Sequence, residues 1–276
     1  MISVIIPIYK NTASFLKLFK HNLSYLQKTE IIIVNDNPAE NLDSQIKKIA
    51  PRAKIINNPK NYGFPKSMNK GVTQASGDFL LFLNSDVKLL SFNFLKVTKM
   101  FTENKSLFAL TFAQIEKDGH LTGANQGKFS QGLFHHQERK ANSVSENLWP
   151  EGGSSLVRKS YFLKLNGFDE IYSPFYWEDV DLGYRAKQQG WTTLFYPLIK
   201  VEHHHQTTIS KHFSKSEIKT IAFRNQFLFV WKNMSVFYLC QHWLNLPLLL
   251  LRNRNNQEFK QGLKSAIQIW FTKHEA

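Results

Sequence analysis

Three stretches of the 276-residue sequence carry polar side chains of types that do chemistry. Asn84-Ser85-Asp86 follows an apolar run, and a carboxylate at a strand end suits a hard divalent cation, which prefers oxygen ligands. Asp36 stands in an Asn-Asp-Asn-Pro turn, where its carboxylate could accept the imide N–H of a uracil or thymine base. Both carboxylates also have ordinary structural uses, Asp86 as a helix cap and Asp36 within its own turn. The spacing leaves these alternatives open.

The third stretch, Trp177-Glu178-Asp179-Val180-Asp181-Leu182, places three carboxylates at the start of a predicted helix. The helix dipole favours negative charge there by about 0.3–1 kcal/mol per exposed group, which accounts for one or two of them. Three carboxylates beside the aromatic residues 175–177 indicate a site for a sugar, whose face an aromatic shelf can hold. A carboxylate near a sugar hydroxyl can take its proton as a general base.

His203-His204-His205 follows a predicted strand and is either structural or a source of a metal ligand. In an extended segment residues i and i+2 share a face, so His203 and His205 could act together. Neither HExxH, GxGxxG nor GxxxxGK[ST] occurs, and no serine nucleophile elbow is found. The sequence therefore does not support a zinc hydrolase, a Rossmann dinucleotide site, a P-loop enzyme or a serine hydrolase.

The elements that must position these residues alternate between strand and helix. Strands are predicted at 4–9, 30–34, 53–57 and 78–83, and helices at 12–26, 42–50 and 65–75. Continuous apolar strands separated by helices predict a parallel sheet covered on both faces. Such a sheet gathers the carboxyl ends of its strands at one edge, where ligands bind. The polar clusters at residues 9–11, 35–37 and 84–86 all fall at that edge.

The second half is less regular. Strands are predicted at 108–115, 154–157 and 192–196, and helices at 159–165 and 178–189. The polar segment 123–147 is predicted to be a mobile loop over the site. The first residues read as a strand rather than a secretion signal, and no apolar run is long enough for a spanning helix.

Composition narrows the partners. With 35 Lys+Arg against 21 Asp+Glu the chain has a net charge of +14, which would attract nucleic acid, a phosphorylated small molecule or an acidic membrane. The single cysteine, Cys240, excludes a disulfide framework and a cysteine metal cluster. From Lys211 onward ten Lys/Arg face three acidic residues in a helical, aromatic tail. This tail is either core packing or a surface for an anionic membrane.

Taken in order, these blocks resemble the family 2 glycosyltransferases of the GT-A fold, particularly bacterial rhamnosyltransferase-like members. The resemblance runs from Ser3 to about Thr208. The blocks that carry it are 3–9, 33–37, 61–71, 77–86, 152–154 with 166–170, and the Glu178-Asp179 pair. Two positions depart from the family pattern, because Asn35 and Asn84 stand where aspartate is frequent.

The resemblance implies a role for each matching residue. The nucleotide contacts would be Pro7, Tyr9, Asp36, Lys66, Asn69 and Ser85. Asp86, with His203, would hold Mg²⁺ or Mn²⁺ against the donor diphosphate. Asp179 would deprotonate the acceptor hydroxyl, and the acceptor would be lined by Gly153, Trp177 and Glu178.

The expected protein is an α/β, GT-A (Rossmann-like) enzyme with a mostly parallel sheet and a helical C-terminal extension. Residues 1–100 would bind the nucleotide, 101–210 the acceptor, and 211–276 would form the basic tail. The expected reaction is inverting, metal-assisted sugar transfer from a UDP- or dTDP-sugar to a hydroxyl of a cell-surface glycan or lipid-linked saccharide. The chain would be cytoplasmic, with the tail a candidate for contact with the inner face of the plasma membrane.

Three alternatives stay open. The first is sugar transfer to a polyprenyl phosphate, in which a phosphate attacks and Asp179 matters less. The second is a non-catalytic nucleotide- or carbohydrate-binding protein on a degenerate version of the fold. The third, a nucleic-acid binder, rests only on charge and aromatic content.

Overall fold

A computed structural model describes residues 1–203 and 209–274; His204 and His205 of the histidine trio lie outside these ranges. Short apolar strands and helices alternate through the first hundred residues, as predicted. The strands are β1 Ile2–Ile8, β2 Glu30–Asn35, β3 Lys54–Asn57, β4 Phe79–Leu83 and β5 Val87–Leu89. The helices are α1 Thr12–Asn22, α2 Asp43–Ile49, α3 Phe64–Thr73 and α4 Phe94–Glu103.

Strands dominate the middle of the chain and helices its end. The strands are β6 Leu107–Ile115, β7 Leu121–Thr122, β8 Asn125–Ser130, β9 Leu133–Glu138, β10 Ser145–Asn147, β11 Ser154–Arg158 and β12 Thr192–His203. The helices are α5 Lys159–Lys164, α6 Glu178–Gln188, α7 Ile209–His212, α8 Lys215–Asn233, α9 Val236–Arg252 and α10 Gln257–His274. No helix in the ranges described is long and apolar enough to cross a membrane.

Within the described residues one ten-stranded sheet forms the centre of the fold. Its main path is β10-β12-β6-β11-β4-β1-β2-β3, with β5 added to β12 and β7 added to β6. β1, β2, β3 and β4 are mutually parallel, as their continuous apolar character predicts. β11 runs antiparallel to both β4 and β6, so the second half of the sheet is mixed.

Both faces of the sheet are covered by apolar side chains. One cluster lies between the sheet and α1, α2 and α4, and contains Phe15, Phe19, Ile46, Val97 and Phe101. A second lies on the other face under α3, α5 and α6, with Met68, Val72, Phe162, Phe168 and Leu182. This two-sided cover is what leaves the carboxyl edge of β1, β2 and β4 as the place for a site.

The segment 123–147 is not the loop that its polar composition predicted. It contains the antiparallel pair β8 and β9, followed by β10 at the edge of the main sheet. Leu133 and Phe134 are buried against Phe229 and Leu249, which belong to the C-terminal helices. The few apolar residues of this hairpin therefore find their partners far along the chain, where local sequence does not reveal them.

The predicted strand 192–196 is also too short. β12 continues to His203 and pairs in parallel with β6, with a register irregularity between Tyr196 and Lys200. Its last residues pair antiparallel with β5, which sets His203 opposite Val87. This extension delivers His203 to the residue that follows Asp86.

Candidate functional site

A cavity of about 610 Å³ opens at the carboxyl edge of β1, β2 and β4. Ten of the twelve residues that the sequence singled out line it; they are Pro7, Tyr9, Asp36, Ser85, Asp86, Gly153, Trp177, Glu178, Asp179 and His203. The other two, Lys66 and Asn69, do not line it. The sheet edge and the start of α6 thus bring together residues from widely separated parts of the sequence.

Asp36 anchors one end of the cavity. Its Oδ1 accepts hydrogen bonds from Asn58 Nδ2 at 2.8 Å and from the Tyr62 N–H at 2.9 Å, and its Oδ2 accepts from the Gly63 N–H at 2.9 Å. A carboxylate has about four acceptor positions, so three bonds within the protein leave one on Oδ2. Asp36 therefore fixes the 58–63 loop rather than its own turn, and it keeps capacity for a ligand N–H.

Asn35 shows why an amide suits the position where aspartate is frequent in the resembling family. Its Nδ2 donates to the Glu40 carbonyl at 2.6 Å and to Asn57 Oδ1 at 3.0 Å, while its Oδ1 accepts from the Asn37 N–H. A carboxylate cannot donate either of the first two bonds. Asn35 is therefore a structural closure of the loop that carries Asp36.

Lys66 and Asn69 lie on α3, behind the cavity wall. Both oxygen and nitrogen of the Asn69 amide bond the Phe168 backbone, at 3.0 and 2.8 Å, and so hold the 167–168 turn. Lys66 Nζ lies 3.4 Å from a Glu170 oxygen and 4.7 Å from the centroid of the Tyr62 ring. The structure gives Asn69 a scaffolding contact and places Lys66 on the half-exposed surface beside the site.

Asp86 and His203 meet at the centre of the cavity. His203 Nε2 lies 3.3 Å from Asp86 Oδ1, and His203 Nδ1 lies 2.7 Å from Gln114 Oε1. An amide oxygen accepts, so Nδ1 carries a proton, and Nε2 faces the carboxylate. Facing donors about 3 Å apart match neighbouring ligands of a small octahedral cation. The Gln114 contact is the type of outer hydrogen bond that orients a metal-binding histidine.

The donor set is small but suits a metal that also binds its substrate. Within the ranges described, no group of three or more His, Cys, Asp or Glu side chains is arranged to hold a metal ion. Mg²⁺ is commonly held by one or two protein ligands together with waters and substrate phosphates. Asp86 and His203 therefore fit a Mg²⁺ or Mn²⁺ ion that a diphosphate helps to bind.

The opposite wall carries three carboxyl groups, of which the sequence singled out two. Burial raises the pKa of Asp179 to about 6, although the N–H groups of Val180 and Gly152 donate to it and lower it. Burial first, and then the charge of Asp179, raise the pKa of Glu151 to about 8. The same two causes raise the pKa of Glu178 well above its usual range. A carboxylate with a pKa near 6 is a competent general base at neutral pH.

Glu178 has one further feature. Its side chain is buried, lines the cavity, and its Oε2 has no hydrogen-bond partner within the described part of the chain. Buried polar atoms are almost always paired, so such an atom indicates a place where a bound molecule completes the bonding. A hydroxyl of an acceptor sugar would supply that partner.

The third acidic residue of the 178–181 stretch has a different role from its neighbours. Asp181 is fully buried, and it accepts from Arg185 Nε at 2.6 Å, Asn233 Nδ2 at 2.8 Å and Lys232 Nζ at 2.9 Å. The Tyr172 hydroxyl also donates to it at 3.1 Å. Asp181 therefore fastens α6 to α8 and does not line the cavity.

The turn that leads into α6 is held by the tail. Tyr176 and Trp177 both have positive φ, 70° and 76°, a conformation that non-glycine residues rarely adopt. The fully buried Asn225 of α8 donates to the carbonyls of Tyr172, Phe175 and Tyr176 at 2.8–3.0 Å. This bracing keeps Trp177 buried in the cavity wall and aims the first turn of α6 into the site.

Glycine 153 joins the two walls. A Cβ atom at this position would lie 2.3 Å from the side-chain Nδ2 of Asn84. The backbone N–H of Asn84 donates to the Gly153 carbonyl at 2.9 Å. Only a residue without a side chain allows this approach. The loop that carries Asp86 is thereby fixed directly against Gly153, which immediately precedes β11.

Sequence reasoning missed three residues on the wall that carries the carboxyl groups: His136, Trp149 and Glu151 line the cavity. The His136 ring sits edge-on to Trp149 at 5.2 Å and to Trp177 at 4.8 Å. Aromatic surfaces beside carboxyl groups are suited to the C–H faces and hydroxyls of a sugar. The available signal was Trp149-Pro150-Glu151 directly before the paired glycines, whose relation to Asp179 only the fold reveals.

Both the sequence and the fold of the chain are similar to those of known proteins. A family model described as glycosyl transferase family 2 matches residues 3–165. An N-acetylglucosaminyl-diphospho-decaprenol L-rhamnosyltransferase from Mycobacterium tuberculosis is 44% identical over 68 residues, covering 25% of this chain and 22% of the relative. An uncharacterized glycosyltransferase from Rickettsia bellii is 31% identical over 139 residues, covering 48% of this chain and 20% of the relative. The matches thus span about a fifth of each relative's length.

Two solved structures share the fold at low sequence identity. GalNAc-T7 with UDP, GalNAc and Mn²⁺ superposes with a TM-score of 0.65 and 16% identity, covering 84% of this chain and 47% of the other. Staphylococcus aureus TarS in complex with UDP-GlcNAc gives a TM-score of 0.61 and 16% identity, covering 97% of this chain and 81% of the other. These likenesses confirm the mixed α/β architecture with its helical C-terminal segment.

Proposed function

The chain belongs to glycosyl transferase family 2, and from that premise we propose that it transfers a sugar from a nucleoside diphosphate-sugar to a hydroxyl of a growing cell-surface glycan. The observation that carries the proposal is the content of the single 610 Å³ cavity. It is lined by Asp36, which could accept from a base N–H, by Asp86 and His203, which fit a divalent cation, and by Asp179, which could act as a base. The donor would be UDP- or dTDP-linked, because both bases present the same imide to Asp36.

The residues divide the work between the two substrates. Pro7, Tyr9 and Asp36 would contact the nucleoside, and Ser85 would approach the diphosphate. Asp86 and His203 would hold Mg²⁺ or Mn²⁺, which when bound neutralises charge on the departing diphosphate. Lys66 would add positive charge near the nucleotide, and Asn69 would support it indirectly through the 167–168 turn.

The acceptor side supplies the base and the stacking surface. Asp179 takes the proton of the acceptor hydroxyl as that oxygen bonds to the anomeric carbon, and the bond from this carbon to the diphosphate oxygen breaks. A single displacement of this kind inverts the anomeric centre. Trp177, Glu178 and the backbone at Gly153 would line the acceptor, which would be a glycan or a lipid-linked saccharide.

We also propose a division of labour along the chain. Residues 1–100 would form the nucleotide half and 101–210 the acceptor half. Residues 211–276 would form a tail whose first helix braces the acceptor half through Asn225 and Asp181. The enzyme would work in the cytoplasm at the inner face of the plasma membrane.

The test is a donor screen with product analysis. Thermal unfolding with UDP, dTDP, GDP and their sugars, with and without Mn²⁺, should show stabilisation by one base class that depends on the metal. The matching donor should then give free nucleoside diphosphate and a glycoside of inverted configuration. No stabilisation by any nucleotide would contradict the proposal and favour a binding protein. Transfer to polyprenyl phosphate and to no hydroxyl acceptor would identify the attacking group as a phosphate.

A further inference from the structure

The helix α9 turns apolar side chains outward. A surface helix of a globular protein normally points its polar side to solvent and its apolar side to the core. Half of the sixteen large apolar side chains exposed in the described residues belong to α9: Val236, Phe237, Tyr238, Trp243, Leu244, Leu248, Leu250 and Leu251. Leu244 is the most exposed of them, at 81%.

Seven of these side chains form one continuous face. Phe237, Leu244 and Leu251 recur every seven residues and so lie in line along the helix. At about 100° per residue this line and its four apolar neighbours cover about 160° of the circumference, whereas Tyr238 lies outside the face and packs on Phe129. The opposite side of α9 is packed on the protein, since His242 and Leu249 are buried. α9 is therefore apolar on both sides, and one of them is open.

The charged residues at the C-terminal end of α9 are basic, and the whole tail has an excess of positive charge. Arg252 is the only charged residue of α9, and Arg254 follows it; both are exposed. On α10 the exposed residues Lys260, Lys264, Ile267 and Phe271 recur at spacings of four, three and four, which places basic and apolar groups on one face. From residue 211 onward ten Lys/Arg face three acidic residues.

This combination selects one kind of partner. An apolar face that contains a tryptophan and is followed by arginine matches the headgroup layer of an anionic bilayer. A second copy of the chain would cover the apolar side chains but would bring the same excess of positive charge against the first. Anionic lipid offers apolar cover and opposite charge together.

We propose that α9 lies in the headgroup layer of an anionic membrane, with the face around Phe237, Leu244 and Leu251 turned into the lipid. The helix would lie parallel to the surface, because its other side remains packed on the protein. Arg252 and Arg254 would pair with lipid phosphates.

The β8–β9 hairpin connects the packed side of α9 with the cavity. The Gly132 carbonyl at the hairpin tip accepts a hydrogen bond from His242 Nδ1 of α9 at 2.6 Å, and Arg252 donates to Gln131 at 3.2 Å. Four residues further along the hairpin, His136 lines the acceptor side of the cavity. At 3.2–3.4 Å per residue this is a distance of about 13 Å.

Because this connection is short, the proposed membrane contact indicates the chemical class of the acceptor. A sugar joined to a membrane lipid could reach the His136 side of the cavity while its lipid stays in the bilayer. This part of the inference rests on the proposed glycosyl transfer. The contact of α9 with the membrane does not, because vesicles can be bound without donor or acceptor.

The experiment measures binding of the full chain to vesicles by co-sedimentation. Vesicles of equal parts phosphatidylcholine and phosphatidylglycerol should bind the protein in low salt, and pure phosphatidylcholine should bind it far less. Leu244→Glu should weaken vesicle binding about tenfold or more, because the protein loses a leucine that would be buried in the lipid. Leu95→Glu on α4, at a position 77% exposed, is the matched control and should bind like the unaltered protein. Replacing Arg252 and Arg254 with glutamine should weaken binding about fivefold per charge.

Two results would overturn the inference. Equal binding by Leu244→Glu and Leu95→Glu would remove α9 from the contact. A dimer in light scattering that Leu244→Glu converts to a monomer, with no vesicle binding, would assign the face to a second copy. Transfer to a water-soluble acceptor should be unchanged in Leu244→Glu. Its loss there, or its absence in every variant, would count against the proposed function rather than against membrane contact.

Discussion

His203 Nε2 lies 3.3 Å from Asp86 Oδ1, although the two residues are 117 positions apart in the sequence. Antiparallel pairing of β5 with the end of β12 makes the contact, because it sets His203 opposite Val87. Gln114, on the neighbouring strand β6, then fixes the histidine ring through Nδ1. The pair is thus held by three strands rather than by a local motif.

Removing the carboxylate of this pair should remove metal dependence. We expect Asp86→Ala to abolish Mn²⁺-dependent binding of the donor, because His203 alone is a poor site for a hard cation. Calorimetric titration of the nucleoside diphosphate with and without Mn²⁺ measures this. Asp118→Ala, at an exposed aspartate in a turn, should behave as the unaltered protein. Full turnover by Asp86→Ala would exclude the assigned role.

Gln114 should affect the affinity for the metal although it is not itself a metal ligand. We expect Gln114→Ala to weaken Mn²⁺ binding in the presence of nucleotide by about 10- to 100-fold, since the histidine loses the partner that orients it. Gln114→Glu, which can still accept from Nδ1, should recover most of the affinity. Gln126→Ala, at an exposed position in β8, is the control. An unchanged metal affinity in Gln114→Ala would mean that His203 is not a ligand.

Asp179 should determine turnover and its pH dependence. We expect Asp179→Asn to lower turnover by about 100-fold or more with little change in donor affinity, as loss of a general base does. In the unaltered enzyme activity should rise as pH increases through about 6, where Asp179 loses its proton. A steady-state pH profile with donor binding measured in parallel tests both. Transfer by Asp179→Asn at the normal rate would assign the proton to another group.

Glu151 should make stability fall as pH rises. Its folded-state pKa of about 8 is above that of an unfolded glutamate, so its contribution to stability is present at low pH and is lost as pH rises through about 8. We expect Glu151→Gln to match the unaltered protein near pH 4 and to be the more stable of the two near pH 9. Urea unfolding across this range measures the difference. Glu146→Gln, at an exposed glutamate in β10, should show no such trend.

Asn225 should matter to the site although it does not line it. Asn225→Ala removes the amide that donates to three carbonyls of the 172–176 turn, and each buried carbonyl that is left without a donor typically costs about 1–3 kcal/mol. We expect lower stability to urea and a lower kcat, with donor binding retained, because the displaced 172–177 turn carries acceptor-side groups. Asn255→Ala, exposed after α9, is the control. A change in donor affinity alone would contradict this assignment.

The strands of the first hundred residues and the polar residues that follow them could be predicted from sequence, because the patterns that define them are local. Apolar runs such as Ile31-Ile32-Ile33 define strands, and the polar residues that end them must meet at one sheet edge. The hairpin could not, since Phe134 packs on Phe229 almost a hundred residues later. For the same reason Glu151 was missed, and Asp181 was grouped with the site although its partners are Lys232 and Asn233. Helix-terminal charge alone does not show which way a carboxylate faces.

The bracing of the 172–176 carbonyls by Asn225 also has a consequence for synthesis on the ribosome. Domains fold as the chain emerges, N-terminal parts first. β1–β4 and the loop around Asp36 can form early, whereas the turn before α6 lacks its hydrogen-bond donor until α8 has left the exit tunnel. The nascent chain therefore forms the Asp36 side of the cavity before the Asp179 side, and a chain stalled before residue 225 would lack the donor that braces this turn.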